Sequence, residues 1–260
     1  RFPGVLDLDL RMPRANGARV HRYLPQAIPP DVRRYLQAAV LQAEARDARF
    51  LVNGDLWDFP FASPGTGQFD VRAKLSDVVL AYVPEHLRGA GEPAWPALAR
   101  LEADLHIDRV ALNIGAARGV VQSWPQLKTV RTEARIPDFT AAAPVLQVRG
   151  QVQGPGPDAL AFVNTSPLSP LLGDVLRDAR LQGPVNLQLG LDLPLNDVAA
   201  VRVNGQLRLA NNDLQVTPDS PWLRASTGAL DFNEQGFRVP QASARLLGGE
   251  VRLAGGMERR

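Results

Sequence analysis

Over most of its length this chain alternates apolar and polar residues one by one, and that pattern constrains its fold more than any other feature. Clear runs are Val5–Leu10 (VLDLDL), Phe69–Leu75 (FDVRAKL), Leu101–Ile107, Val110–Ile114, Val130–Ile136, Val145–Val152, Val185–Leu193 and Val201–Leu209. Shorter runs follow at 214–216, 230–232, 237–239 and 250–254. A period of two sends successive side chains to opposite faces of a strand, so each run reads as a strand with one apolar and one wet face. The expectation is a mainly β chain, built as a long, curved antiparallel sheet of repeated hairpins with two or three short helices.

A faint internal repeat supports this organisation. LHIDRVALNI (105–114), LRLANNDLQV (207–216) and LDFNEQGFRV (230–239) each read as strand, short polar turn and strand. A second theme is Val52-Asn53-Gly54-Asp55-Leu56, which returns as Val203-Asn204-Gly205-Gln206-Leu207 and more loosely as Val148-Arg149-Gly150-Gln151-Val152. Glycine inside a strand marks a bulge, a bend or a close backbone approach, so curvature is expected at these points.

Three stretches break the alternation. Residues 30–44, PDVRRYLQAAVLQAE, place Val32, Leu36, Ala39, Val40 and Ala43 at helical spacing behind Pro30, which suits a first turn. Residues 157–163 and 168–179 are weaker helix candidates, the second capped by Ser166 and started by Pro167. Residues 60–67 and 84–96 are loops by composition. The chain is expected to be one continuous sheet, divisible into two repeat units: 1–150, with the helix at 30–44, and 151–260, with the two later helices.

Composition narrows the function. Lys plus Arg number 29 and Asp plus Glu 27, a formal charge of +2 with no run of like charge, so nucleic acid is not an expected partner. With no cysteine, disulfides, thiol nucleophiles and cysteine metal sites are excluded. No apolar run approaches the roughly 18 residues of a membrane span, and no signal segment is present. The chain reads as a soluble piece of a longer protein, any membrane anchor lying outside it.

The residues offer little chemistry. His21, His86 and His106 are scattered without metal-ligand spacing, and no serine sits in a nucleophile motif. Gly65-Thr66-Gly67 and Gly154-Pro155-Gly156 lack the remaining glycines of a phosphate cradle. Asp55 and Asp58 around Trp57 would serve a glycosidase only if held about 5 to 9.5 Å apart across a cleft. A wet strand face followed by a turn explains them more simply. No catalytic residue, metal site or cofactor is expected.

Residues 23–61, with Tyr23-Leu24-Pro25, a Pro-started helix and a strand ending in Gly54-Asp55-Leu56-Trp57-Asp58-Phe59-Pro60-Phe61, resemble the central region of the YhdP family, AsmA-like proteins of Gram-negative envelopes. The resemblance continues through Gly67-Gln68-Phe69-Asp70-Val71, Leu105-His106-Ile107-Asp108, Thr165-Ser166-Pro167-Leu168, Gly183-Pro184, Leu193-Pro194-Leu195 and 244–249. It implies a periplasmic segment of a protein anchored in the inner membrane, with an extended, taco-like β groove similar to bridge-like lipid transfer proteins. It implies phospholipid acyl chains as partners in transport between inner and outer membrane, and carries no catalytic residues.

An apolar trough would hold acyl chains at roughly 0.8 kcal/mol per buried methylene, while a uniform wall would let them slide. The candidate wall is Val185, Leu187, Leu189, Leu191 and Leu193 beside Val203, Leu207 and Leu209, with Phe69, Val71, Ala73 and Leu75 as a counterpart in the first half. From the residues alone the same stripes could instead close on each other as a sandwich core. A scaffold module for outer-membrane biogenesis, binding other envelope proteins through sheet edges or the 84–96 loop, is the alternative function.

Overall fold

In the computed structural model, which describes residues 4–22, 24, 29–171, 174, 176–197 and 200–258, the chain forms one open antiparallel sheet of thirteen strands. The strands are β1 (Val5–Asn16), β2 (Val40–Asp55), β3 (Gly67–Leu80), β4 (Leu98–Asp108), β5 (Ala111–Val121), β6 (Trp124–Ile136) and β7 (Val145–Pro155). They continue as β8 (Arg180–Gln182), β9 (Pro184–Pro194), β10 (Arg202–Gln215), β11 (Leu223–Asn233), β12 (Gly236–Leu246) and β13 (Gly249–Glu258). Each strand pairs with the next in sequence, except that β7 pairs with β9, and β8 lies off this path against the end of β10. At about 4.8 Å per strand the sheet runs roughly 50 Å across its strands.

Every connection between neighbours returns to one of two rims. One rim carries the helices α1 (Pro30–Ala39), α2 (Gly156–Thr165) and α3 (Leu168–Leu171), together with the 81–97 loop. The other carries the 56–66 segment and the turns at 109–110, 137–144 and 234–235.

The sheet bends along a seam of bulges rather than at the repeated glycines. Asp47 in β2, Asp77 in β3, Arg100 in β4, Ala116 in β5 and Arg131 in β6 all have φ near +50°, and each sits at a break in the pairing register. Asn211 and Ala225 repeat the device in β10 and β11. A bulge bends its strand and adds twist, and bulges on successive strands crease the whole sheet. Gly205, by contrast, lies in regular register between β9 and β11.

Three expectations are corrected here. The helix expected over 30–44 ends at Ala39, and Val40–Glu44 opens β2, where its backbone pairs with β3 and, at Glu44, with β1 as well. Apolar residues at 36, 39, 40 and 43 leave the element open, and ladder bonding to β3 decides for the strand. The helix expected over 168–179 is a single turn at Leu168–Leu171, where the Leu168 N–H donates to Ser166 Oγ. Residues 172–173 and 175 lie outside the described residues, as do Tyr23 and 25–28 of the YhdP-like segment. The hairpin expected at 207–216 is one strand, β10, with a bulge at Asn211. The Asn212 side chain, fully buried, donates to the Gln182 and Pro184 carbonyls and ties β10 to the junction of β8 and β9. The other two expected hairpins form β4–β5 and β11–β12.

The buried interior is thin. Thirteen apolar residues are buried among those described, six of them alanine or small valine positions on β2 to β5, and Phe61 is the largest fully buried side chain. The accessible surface is 16230 Å², against about 11,000 Å² for a compact chain of this mass. A sandwich closed on its apolar faces would not leave that excess.

Candidate functional site: an uncovered apolar face

Register assigns each side chain to a face, because directly paired residues lie on the same side of the sheet. One row runs Ala73, Leu105, Ile114, Ala134, Val148, Leu191 and Val203, unbroken over seven strands. A second runs Leu10, Phe50, Val71, Ile107, Leu112 and Ile136. A third runs Val152, Leu187, Leu207 and Leu230. The face is therefore apolar from β1 to β13, and its rows run across the strands.

The expected wall residues fall on this face. Leu191 pairs with Val203, Leu187 with Leu207 and Val185 with Leu209, while Leu189 and Leu193 alternate on the same side. Phe69, Val71, Ala73 and Leu75 share it in β3. The first-half and second-half groups are not adjacent; β4 to β7 lie between them and extend the face with Leu105, Ile107, Ile114, Ile136 and Val148. Those residues carry the same alternation in the sequence, but the bulges at Arg100, Ala116 and Arg131 shift its phase and hide the continuity.

No layer covers the middle of this face. Leu187, Leu189, Leu191, Leu193, Val203 and Leu207 are half-buried by sideways contact with neighbouring strands. Leu8 and Leu10 near one edge, and Phe237, Leu253 and Met257 near the other, are exposed. Cover is confined to the margins. On the helical rim Val78, Leu101, Val121 and Leu127 are buried beside the 81–97 loop and α2. There the Tyr35 hydroxyl donates to the Tyr82 carbonyl, Tyr82 packs on Trp95, and burial raises the Tyr82 phenol well above its ordinary pKa. On the opposite rim Phe61 seats over Gly54 and Gly67 and packs edge-on against Phe59, which in turn meets Phe69.

The Asp55 and Asp58 stretch resolves into part of that margin. Asp55 Oδ1 accepts from the Trp57 N–H at 3.0 Å and caps a one-turn helix at Leu56–Asp58. Trp57 is exposed, and Phe61 follows a cis Phe59–Pro60 bond with φ of 63°.

The other face is polar and many of its charges are paired in place. Arg49 grips Asp9 in a two-point bond of 3.0 and 2.9 Å, Arg149 holds Asp192, and Arg118 holds Glu102. Burial raises the pKa of Asp70, but bonds from Arg72 and His106 outweigh it and hold the carboxyl below its ordinary value. A hollow of about 820 Å³ over β6 to β13 is lined mainly by charges and amides such as Arg131, Glu133, Gln188 and Arg238, and Leu189, Phe232 and Phe237 also reach its walls. Among the described residues no three acid or histidine side chains gather as a metal site, and no helix is long and apolar enough to cross a membrane.

An open sheet with one charged face and one bare apolar face defines a class of protein that presents a hydrophobic surface instead of enclosing it. Within that class the chain belongs to the YhdP family, whose YhdP protein description matches residues 1–259. It is 28% identical over 225 residues to the intermembrane phospholipid transporter YhdP of Escherichia coli (strain K12), covering 84% of this chain and 16% of that protein. The chain thus spans about a sixth of the curated relative's length. No solved structure matches it.

Proposed function

We propose that this chain is a periplasmic segment of an inner-membrane-anchored protein, and that its bare apolar face binds phospholipid acyl chains during transport between the inner and outer membranes. The observation that carries the reading is the row from Ala73 to Val203, apolar over seven strands and without a covering layer at its centre. An acyl chain lying along such rows replaces water over the apolar surface at about 25 cal/mol per Å². Because the rows cross the strands, a chain moving along them passes from one apolar side chain to the next without leaving an apolar surface. Head groups stay in water above the trough. The relative named as a phospholipid transporter supports the lipid as the cargo.

The test is a photoreactive residue placed at Leu189 or at Gln188, neighbours on opposite faces of β9. Incubation with phospholipid vesicles should label lipid from Leu189 and not from Gln188, and organic extracts of the purified chain should contain phospholipid. Equal labelling from both positions overturns the assignment of the face. A stable envelope-protein partner with no extractable lipid would favour the scaffold function instead.

A further inference from the structure

The apolar face is not uniform along its length. Around β5 to β7 the rows that elsewhere carry Leu75, Leu101, Leu189 and Leu207 carry Gly119, Thr129, Thr132 and Gly150. A side chain at Gly150 would collide with Thr132, and one at Gly119 with Leu101, so the floor is low there because its neighbours already fill the space.

Helix α2 lies at this low stretch. It packs against β6, β7, β8 and β9, and Phe162 meets Trp124 of β6 edge-on at 6.1 Å between ring centres. The apolar-face residues beside it are nearly inaccessible: Leu127 is 2% exposed, Val185 5% and Thr129 8%. A few residues further along β9, Leu187, Leu189, Leu191 and Leu193 are only half-buried. The seat is imperfect for a helix meant to stay put. The Thr129 hydroxyl is buried with no hydrogen-bond partner, as is the Asn164 side-chain oxygen, whose amide nitrogen donates to the Leu176 and Arg177 carbonyls. Each unpartnered buried group favours a state in which water can reach it, and a segment with few apolar contacts opens at a lower free energy than the sheet beneath it.

We propose that α2 is a side gate on the acyl path, with Phe162 on Trp124 as its latch. Seated, it confines a passing chain to the strip of Val148 and Leu191. Lifted, it adds Thr129 and Val152 to the path and hydrates the orphaned hydroxyl. The gate rests on the lipid reading above, and its test separates the two.

The chain has no cysteine, so Trp124→Cys with Phe162→Cys gives a single pair that a short reversible bis-methanethiosulfonate can join. The joined and unjoined chains are mixed with vesicles holding a phospholipid that carries a diazirine in its acyl chain, and labelled residues are mapped by mass spectrometry. In the unjoined chain label is expected at Thr129 and Val152 as well as at 187–193. Joining should reduce label at Thr129 and Val152 at least about tenfold, a shift of 1.4 kcal/mol in the opening equilibrium, and leave 187–193 unchanged; reduction of the linker should restore it. Phe162→Ala, with helix content checked by circular dichroism, should raise label at Thr129 severalfold. The gate is overturned if Thr129 and Val152 label equally with the helix joined, or never label when it is free. Label at neither region overturns the lipid reading and the gate with it.

Discussion

The two Val-Asn-Gly sites of the sheet, at Gly54 and at Gly205, solve one problem in different ways. Both glycines leave room on the apolar face for an aromatic ring. At Gly54 the ring is Phe61, delivered by a loop at the rim and fully buried; an added Cβ would also approach the Gly67 Cα and the Thr66 carbonyl at 3.0 Å, and the glycine itself has φ of +142°. At Gly205 the ring is Phe232, the paired residue on β11, half-exposed and flanked by Phe237. The first site is a core in miniature, whereas the second is part of the open wall. The same tripeptide therefore serves closure at one place and exposure at the other, and the difference lies in where the ring comes from.

Phe61→Ala is the largest expected effect. It should lower unfolding stability in urea by about 3 to 5 kcal/mol, as for a buried aromatic that leaves a cavity, while Phe232→Ala should lower it by about 1 to 2 because part of its surface is already wet. Equal losses would erase the distinction between the sites.

Gly54→Ala comes next, at about 2 to 3 kcal/mol, because both the φ and the backbone clashes oppose a side chain. Gly205→Ala should lose only about 1 kcal/mol, and the double variant with Phe232→Ala should be less destabilised than the sum of the two. Gly54→Ala should be rescued only in part by Phe61→Ala, since the ring is the nearest clash but Gly67 and Thr66 remain in place.

A smaller contrast is at the residue after each glycine. Asp55→Ala removes a helix cap and should destabilise by about 1 kcal/mol. Gln206→Ala removes a part-buried bond to Asp231 and one accepted from Arg208 and should cost about 0.5 kcal/mol, the low end for such bonds. Thermal melts of the pair check this.

The smallest expected effect is in the acid limb of the first half. The folded pKa of Asp70 lies below its ordinary 3.8, so its stabilisation is complete above that value and is lost as pH falls through the folded pKa. Asp70→Asn should flatten the decline in stability below pH 3.8 and lower stability at neutral pH, as measured by urea unfolding across that range.

Much of the architecture was legible because alternation is a direct print of the pleat. VNLQLGLDL placed Val185 to Leu193 on one face and Asn186 to Asp192 on the other, and pairing with VRVNGQLRL follows the same phase. Pro30 marked where α1 begins. The end of α1 was not legible, since helical and strand spacing coincide over 36–43. Neither was the unbroken β10: LANNDL has the composition of a turn, and only the bonds from Asn212 to the β8–β9 junction make it a bulge. Asp47, Asp77 and Asn211 are residue types that tolerate positive φ, but Arg100, Ala116, Arg131 and Ala225 give no such sign.

By itself the sequence determined that strands dominate, which residues within an unbroken run share a face, and that the faces differ in polarity, because these follow from the chemistry of adjacent residues. Whether the apolar face would be covered was a matter for the tertiary structure. The same stripes suit a closed core or an open wall, and the choice depends on the bulge seam, on helices that reach only the margins, and on Phe61 closing one Val-Asn-Gly site while Phe232 leaves the other open.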